Sequence, residues 1–231
     1  MNELNIISYN ARGLRGNKKR RRLFSYFHRR KVDVIVIQEK HSLQTDELFW
    51  KNEWGGNVYF SHGTNDSCGV CILFKPSLSF DVVKSKPHNL GRYILLDILV
   101  AGQCITLVGV YGPNSDNPNF FSEVAENMQH FTCNNKIMCG DFNFVFDLNL
   151  DKMGGQQRTN FRGRSDCLRL MATYNLVDIW RERHPMTKSF TWSSNILLGL
   201  HCRLDFSLIS HHLSHVAIIC LSHRRFSRSI P

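Results

Sequence analysis

Acidic residues are the scarcer charge in this sequence. Nineteen Asp and Glu stand against 29 Lys and Arg, a formal net charge of +10 over 231 residues. That balance favours a polyanionic partner, with nucleic acid ahead of an anionic membrane surface. Long hydrophobic runs are also missing. The most apolar stretches, residues 32–37 and 93–100, each carry an aspartate and are far too short to span a bilayer. The first residues, Met1-Asn-Glu-Leu-Asn-Ile-Ile-Ser, enter a strand-like pattern with no basic segment and no long apolar segment ahead of it. The expectation is a soluble intracellular protein with no membrane partner. No second Cys or His pair accompanies the lone Cys68-Gly-Val-Cys71, so zinc is not expected, and the eight cysteines read as reduced thiols. Internal repeats, low-complexity linkers and a P-loop are absent. Strand-like and helix-like stretches alternate without a break in composition, which points to one α/β domain over residues 1–231.

The chain is organised around Lys136-Ile-Met-Cys-Gly-Asp-Phe-Asn-Phe144. An apolar strand stops at Gly140, and Asp141 and Asn143 follow two residues apart. On an extended backbone both side chains leave one face. A carboxylate beside a carboxamide suits activating a water and holding a phosphate oxygen near a divalent metal. A strand ending in an Asx-type turn reads equally well here.

Other chemistry-bearing residues recur at strand ends. Residues 5–9 form a short strand delivering Asn10, either a ligand-binding group or a turn residue. The basic run Lys18-Lys-Arg-Arg-Arg22 is interrupted by Leu23, Phe24 and Phe27, the spacing of an amphipathic helix with a basic outer side. That side is a solvated face, a phosphate-binding surface or a nuclear-import signal. The β-branched stretch 32–37 reads as a strand buried on both faces and delivers Gln38-Glu39. A carboxylate emerging there needs a metal or hydrogen-bond donors, which favours a ligand over a structural ion pair. From Trp50 to Val110 strands are expected at 57–61, 69–74, 79–83, 93–100 and 104–110, the last ending in a turn that exposes Tyr111. Residues 119–131 are helical. The loop 153–164, with Arg158, Arg162 and Arg164, is a candidate DNA-contacting surface. Ser165-Asp166 looks like the cap of a further helix, and residues 202–206 form a strand with Asp205 facing inward.

Asn10, Gln38-Glu39, Tyr111-Gly-Pro-Asn114, Gly140-Asp-Phe-Asn143 and Arg203-Leu-Asp205 stand in the order seen in the endonuclease/exonuclease/phosphatase superfamily. The wording of Asn10-Ala-Arg-Gly-Leu14, Gln38-Glu-Lys-His41 and Leu176-Val-Asp-Ile-Trp-Arg181 most resembles the endonuclease domain of LINE-type (non-LTR) retrotransposons. The resemblance implies a four-layered α/β sandwich of two mixed sheets flanked by helices, here with its last strand missing or altered. It also implies a Mg²⁺-dependent endonuclease, with Mn²⁺ as an alternative, that nicks one strand of double-stranded DNA and leaves a 3′ hydroxyl for target-primed reverse transcription. Abasic-site endonucleases are the nearest alternative activity. The resemblance assigns the metal to Asn10, Glu39, Asp141 and Asn143, and catalysis to Tyr111, Asp141, Asn143, Asp205 and His223. Within that scheme Asp141 orients or deprotonates the attacking water, Asn143 stabilises phosphorane-like charge, Tyr111 contacts the phosphate or leaving oxygen, and Asp205 supports His223. DNA contacts are expected at Arg12, Asn114, Arg158, Arg162 and Thr191.

One departure stands out. The family ends in Ser-Asp-His before an apolar strand, whereas Leu221-Ser-His223 lacks the aspartate and the following Phe226-Ser-Arg-Ser-Ile230 is short and basic. The domain is therefore expected to be truncated or altered after about residue 223, and a catalytically impaired, DNA-binding remnant is the competing reading. Losing a carboxylate that orients a catalytic His costs about 10⁴-fold in serine proteases. No reverse transcriptase segment is found in these residues, and a nuclear location, with or without a cytoplasmic pool, is the expectation.

Overall fold

Consecutive apolar residues in a strand demand cover on both faces, and the chain supplies it from two sides. Residues 4–155, 162–214 and 219–222 are described by the structure, a computed structural model. The fold opens with β1 (Asn5–Asn10), α1 (Asn17–His28), β2 (Val34–Gln38) and α2 (Glu47–Trp54). Five strands follow: β3 (Val58–Ser61), β4 (Val70–Phe74), β5 (Asp81–Pro87), β6 (Tyr93–Val100) and β7 (Gln103–Tyr111). Next come α3 (Phe120–Met128), β8 (Asn135–Asp141), β9 (Lys152–Met153), α4 (Arg162–Thr173), β10 (Leu176–Asp178) and α5 (Ile179–Arg183). The described strands end with β11 (Trp192–Ser193), β12 (His201–Cys202), β13 (Asp205–Ser210) and β14 (Ile219–Ser222).

Two mixed sheets dominate, ordered β14-β1-β2-β4-β3 and β10-β13-β8-β7-β6-β5, with a small third sheet β11-β12-β9. Alternation along each strand divides the apolar residues into three layers of packing. Val34, Val36, Val70 and Ile72 of the first sheet meet Ile94, Leu96, Leu107 and Ile137 of the second. On its other face the first sheet turns Ile35, Ile37, Cys71 and Leu73 toward Leu23, Phe24 and Phe27 of α1 and Trp50 and Trp54 of α2. The second sheet does the same with Leu95, Val108, Met138 and Leu208 against α3 and α4. Helix, sheet, sheet, helix: this is the expected four-layered sandwich. Gly109 permits the close approach of the sheets, since a Cβ there would sit 2.8 Å from Val36 Cγ1.

Several local expectations needed correction. Helix α2 replaces part of the expected strand region. Trp50 and Trp54, four residues apart, bury one face of it and contribute about 1.5–3 kcal/mol each. The β8 strand does not stop at Gly140 but runs to Asp141, and glycine is required because a Cβ would collide with the Val110 carbonyl. Helix α4 begins at Arg162, so Ser165-Asp166 lies within it, and the strand expected at 202–206 is split into β12 and β13. Arg20, read as part of the solvated basic face, is 2% exposed. It pairs with Glu53, donates to the Leu14 carbonyl at 2.9 Å and lies over the rings of Phe49 and Trp50. Cys104 and Cys133 form a disulfide, contrary to the all-thiol expectation, while Cys68, Cys71, Cys167 and Cys202 are free. Burial pushes the Cys71 thiol up to about 12, the state of an inert core residue. Among the described residues no helix is long and apolar enough to cross a membrane.

Candidate active site

The sandwich brings the carboxyl ends of β1, β2, β7 and β8 to one edge. In the second sheet Asp141 lies opposite Asp205 across the antiparallel β8–β13 ladder and opposite Tyr111 across the parallel β7–β8 ladder. The first sheet pairs Asn10 with Gln38, one residue before Glu39. Asn10 joins the two sheets: its Nδ2 donates to Glu39 Oε1 at 2.8 Å and to Asp141 Oδ2 at 2.9 Å. Its Oδ1 accepts the Arg12 backbone N–H at 3.1 Å. One carboxamide therefore separates two carboxylates that would otherwise repel.

The backbone around these groups is unusual. Arg12, Glu39, His41 and Asn143 all have positive φ, at 47°, 50°, 51° and 57°. Non-glycine residues visit this region sparingly and persist in it only where the surroundings over-determine the conformation. Here the main chain does so, with Ala11 N–H donating to Gln38 O at 2.8 Å, Gly13 N–H to Glu39 O at 2.7 Å and Leu14 N–H to Lys40 O at 3.0 Å. The left-handed conformation at Asn143 decides between the two readings of this strand end in favour of the turn. Its N–H donates to Asp141 Oδ1 at 2.9 Å in an Asx-type turn. Asn143 Nδ2 spends its protons on Gly112 O at 2.7 Å and Asn114 Oδ1 at 2.8 Å, leaving Oδ1 as the group that can meet a ligand.

Electrostatics follow from burial. The Asp141 carboxyl is pushed up to about 6 by burial, opposed by bonds from Asn10 and the Asn143 N–H and reinforced by Glu39. Burial and then Asp141 raise Asp205 well above the usual carboxylate range, and Thr191 and Arg12 act the other way. Tyr111 is buried rather than exposed, its hydroxyl donating to Asn114 Oδ1 at 3.3 Å. Burial first, then Glu39 and Asp141, push its phenol far above the ordinary range.

Three carboxylates converge with a deficit of positive charge. Among the described residues the ion pairs include none between Asp141 or Asp205 and a Lys or Arg, and Glu39 has only His41 at 3.9 Å. Hard oxygen donors with uncompensated charge fit a divalent cation such as Mg²⁺, which takes one or two carboxylates and fills its remaining positions with water and phosphate. Among the described residues no three His, Cys, Asp or Glu side chains come together in a group that could hold a metal ion by themselves.

The remaining expected residues are placed unevenly. Thr191 Oγ1 is engaged inside the protein, accepting from Leu204 N at 3.0 Å and Asp205 N at 3.2 Å. Arg162 is exposed and pairs with Asp116 at 3.0 Å. Arg12 and Asn114 are exposed at the rim. Arg158 and His223 lie outside the described residues, as does 226–230. Strand β14 does pair in parallel with β1, Ser222 opposite Ser8. The sequence reading missed a buried network behind Asp205. Arg203 Nε meets Asp151 Oδ1 at 2.7 Å, Arg203 Nη2 meets Asp178 Oδ2 at 2.6 Å, and Arg181 joins Asp151 at 2.6 Å. Arg203 in Arg203-Leu-Asp205 was the available signal, since an arginine entering a core strand must find carboxylates.

Known proteins fall into line with this geometry. The chain is 30% identical over 215 residues to the transposon TX1 uncharacterized 149 kDa protein of Xenopus laevis, a match covering 91% of this chain but only 16% of that protein. Among solved structures, an AP endonuclease from Leishmania major superposes with a TM-score of 0.75 at 20% identity, over 90% of this chain and 79% of the other. The Xenopus laevis APE2 catalytic domain gives a TM-score of 0.70 at 20% identity, over 90% and 83%. A 3′ phosphatase, NExo from Neisseria, bound to product DNA hairpin, gives 0.68 at 17% identity, over 90% and 87%. The model of the Endonuclease/Exonuclease/phosphatase family matches residues 7–227, and the chain belongs to that family.

Proposed function

We propose that this chain is a metal-dependent DNA endonuclease that nicks one strand and leaves a 3′ hydroxyl as the primer for reverse transcription of a LINE-type element. The observation that carries the reading is the Asn10 bridge between Glu39 and Asp141, with Asp205 opposite Asp141 in the ladder. The transposon relative supports the retroelement role, and the net charge of +10 supports a DNA partner. Work on chromosomal DNA would place the protein in the nucleus.

Glu39 and Asp141, with Asn10 and the Oδ1 of Asn143 beside them, would hold Mg²⁺ or Mn²⁺. The cation supplies Lewis-acid stabilisation of charge on a phosphate oxygen. Asp141 accepts the proton of the attacking water, a new P–O bond forms, the bond to the 3′ oxygen breaks, and that oxygen takes up a proton from solvent to leave as the 3′ hydroxyl. Asp205 adds its charge behind Asp141. Tyr111, held by Asn114, presents its hydroxyl toward the phosphate or leaving oxygen, and Arg12 meets the DNA backbone at the rim.

Abasic-site cleavage is the second reading, favoured by the AP endonucleases among the similar structures. End-labelled duplexes with and without one abasic site separate the two. Cleavage of intact duplex at a rate within tenfold of the abasic duplex, with ends a DNA polymerase extends directly, supports strand nicking for priming. Cleavage confined to the abasic duplex supports the repair-type activity. DNA binding without cleavage of either supports the impaired remnant.

A further inference from the structure

Directly after Glu39 the chain buries a lysine: Lys40 is 0% exposed. An ammonium out of water needs acceptors for its protons. Nζ donates to Ser42 Oγ at 2.6 Å and to His62 Nδ1 at 2.9 Å, and lies 5.3 Å from the centre of the Phe60 ring. His62 Nδ1 lies between Lys40 Nζ and the Ser42 carbonyl, 3.0 Å from the latter, while Nε2 on the far side of the ring reaches Glu47 Oε1 at 3.0 Å. The ring is stacked on Phe60 at 5.3 Å. Glu47 sits at the start of α2, and Lys51 one turn later holds its other oxygen at 3.0 Å. Lys40, His62 and Glu47 thus tie the loop after β2 to a helix of the outer layer.

The main chain of Lys40 is gripped as firmly as its tip. Its N–H donates to Gly69 O at 3.1 Å, and its carbonyl accepts from Leu14 N at 3.0 Å. Gly69 leaves room for the lysine stem, since a Cβ there would sit 2.8 Å from Lys40 Cγ. Glu39 and His41, on either side, both hold positive φ, 50° and 51°. Among the described residues no ion pair joins Lys40 to Glu39, whose carboxylate meets Asn10 and His41 instead, so the influence of the lysine runs through the backbone.

We propose that Lys40, His62 and Glu47 form a positioning relay that holds the left-handed turn at Glu39 and so presets its carboxylate for a divalent cation. The inference rests on the reading of Glu39 as a cation ligand. Two measurements on the whole chain test it: Mn²⁺ binding followed by electron paramagnetic resonance, and amide hydrogen exchange without metal. Lys40→Met should weaken Mn²⁺ binding at least tenfold and speed exchange at Gly13 and Leu14 at least tenfold, with Leu95 and Leu96 of β6 unchanged. Glu47→Gln, at the outer end of the relay, should move both readouts in the same direction by a smaller factor, and it carries the test if Lys40→Met fails to fold. Mn²⁺ binding and exchange within twofold of wild type in Glu47→Gln and in any folded Lys40→Met would overturn the relay. Equal acceleration at Leu95 and Leu96 would also overturn it, because that is a general loss of stability. If Glu39→Gln binds Mn²⁺ like wild type, the ligand reading itself fails and the relay loses its object.

Discussion

The two sheets contribute to the site in different ways. The second sheet delivers Asp205, Asp141 and Tyr111 from one rung shared by β13, β8 and β7, where register alone sets their spacing. The first delivers Asn10 and Glu39 at and just beyond its strand ends, beside three residues of positive φ at Arg12, Glu39 and His41. Ladder positions are rigid without further help, and loop positions must be pinned by specific bonds. On the proposed reading Asp141, the proton acceptor, sits on the rigid side, and Glu39, which would share the cation with it, sits where added contacts must fix it.

Substitutions can break this contrast at either end. Asp141→Asn keeps the shape of the ladder side but removes its base, and nicking should fall by about 10²–10⁴-fold with unfolding unchanged or slightly strengthened. A plasmid nicking rate alongside a thermal melt reads both. Arg203→Met is next in size. It leaves Asp151 and Asp178 without their buried partner and should cost about 3–5 kcal/mol in a urea titration. Thr191→Val removes the acceptor shared by Leu204 N and Asp205 N, for an expected loss of about 1–3 kcal/mol and a matching fall in nicking as Asp205 drifts.

The smallest effect lies away from both edges, at His88, which stacks on Tyr93 and sits 3.3 Å from Glu123. Burial depresses its pKa, with Glu123 opposing and Arg92 assisting. The unfolded chain then takes the proton first as pH falls. Stability present above about 6.5 should be lost progressively below it, and His88→Gln should flatten that slope in melts run from pH 8 to 5.

Much of the site was legible because its residues sit at strand ends, where a hydrophobic run stops and a polar group begins. Asn10, Glu39, Tyr111 and Asp141 follow that rule, whereas Asp205, read inside a strand, opens β13, and the structure brings all five to one edge. What was not legible depends on partners far away in sequence. Arg20 belonged to a basic run until Glu53, 33 residues on, took it into the core. That Thr191 accepts from Leu204 N and Asp205 N has no local signal either, since those residues lie 13 and 14 positions on. Asn143 takes the second of its two readings, the Asx-type turn, a choice that period-two reasoning alone does not make. Lys40 carried no local sign of burial, because its partner His62 lies 22 residues later.

The central claim is that Asn10, Glu39, Asp141 and Asp205 form a working hydrolytic edge. Conversion of supercoiled plasmid to open circle, with Mg²⁺ and with EDTA, tests it most directly. The account predicts nicking by the wild-type chain in Mg²⁺, none in EDTA and none with Asp141→Asn. A folded wild-type sample that leaves the plasmid supercoiled in Mg²⁺, or nicks it equally in EDTA, would contradict it.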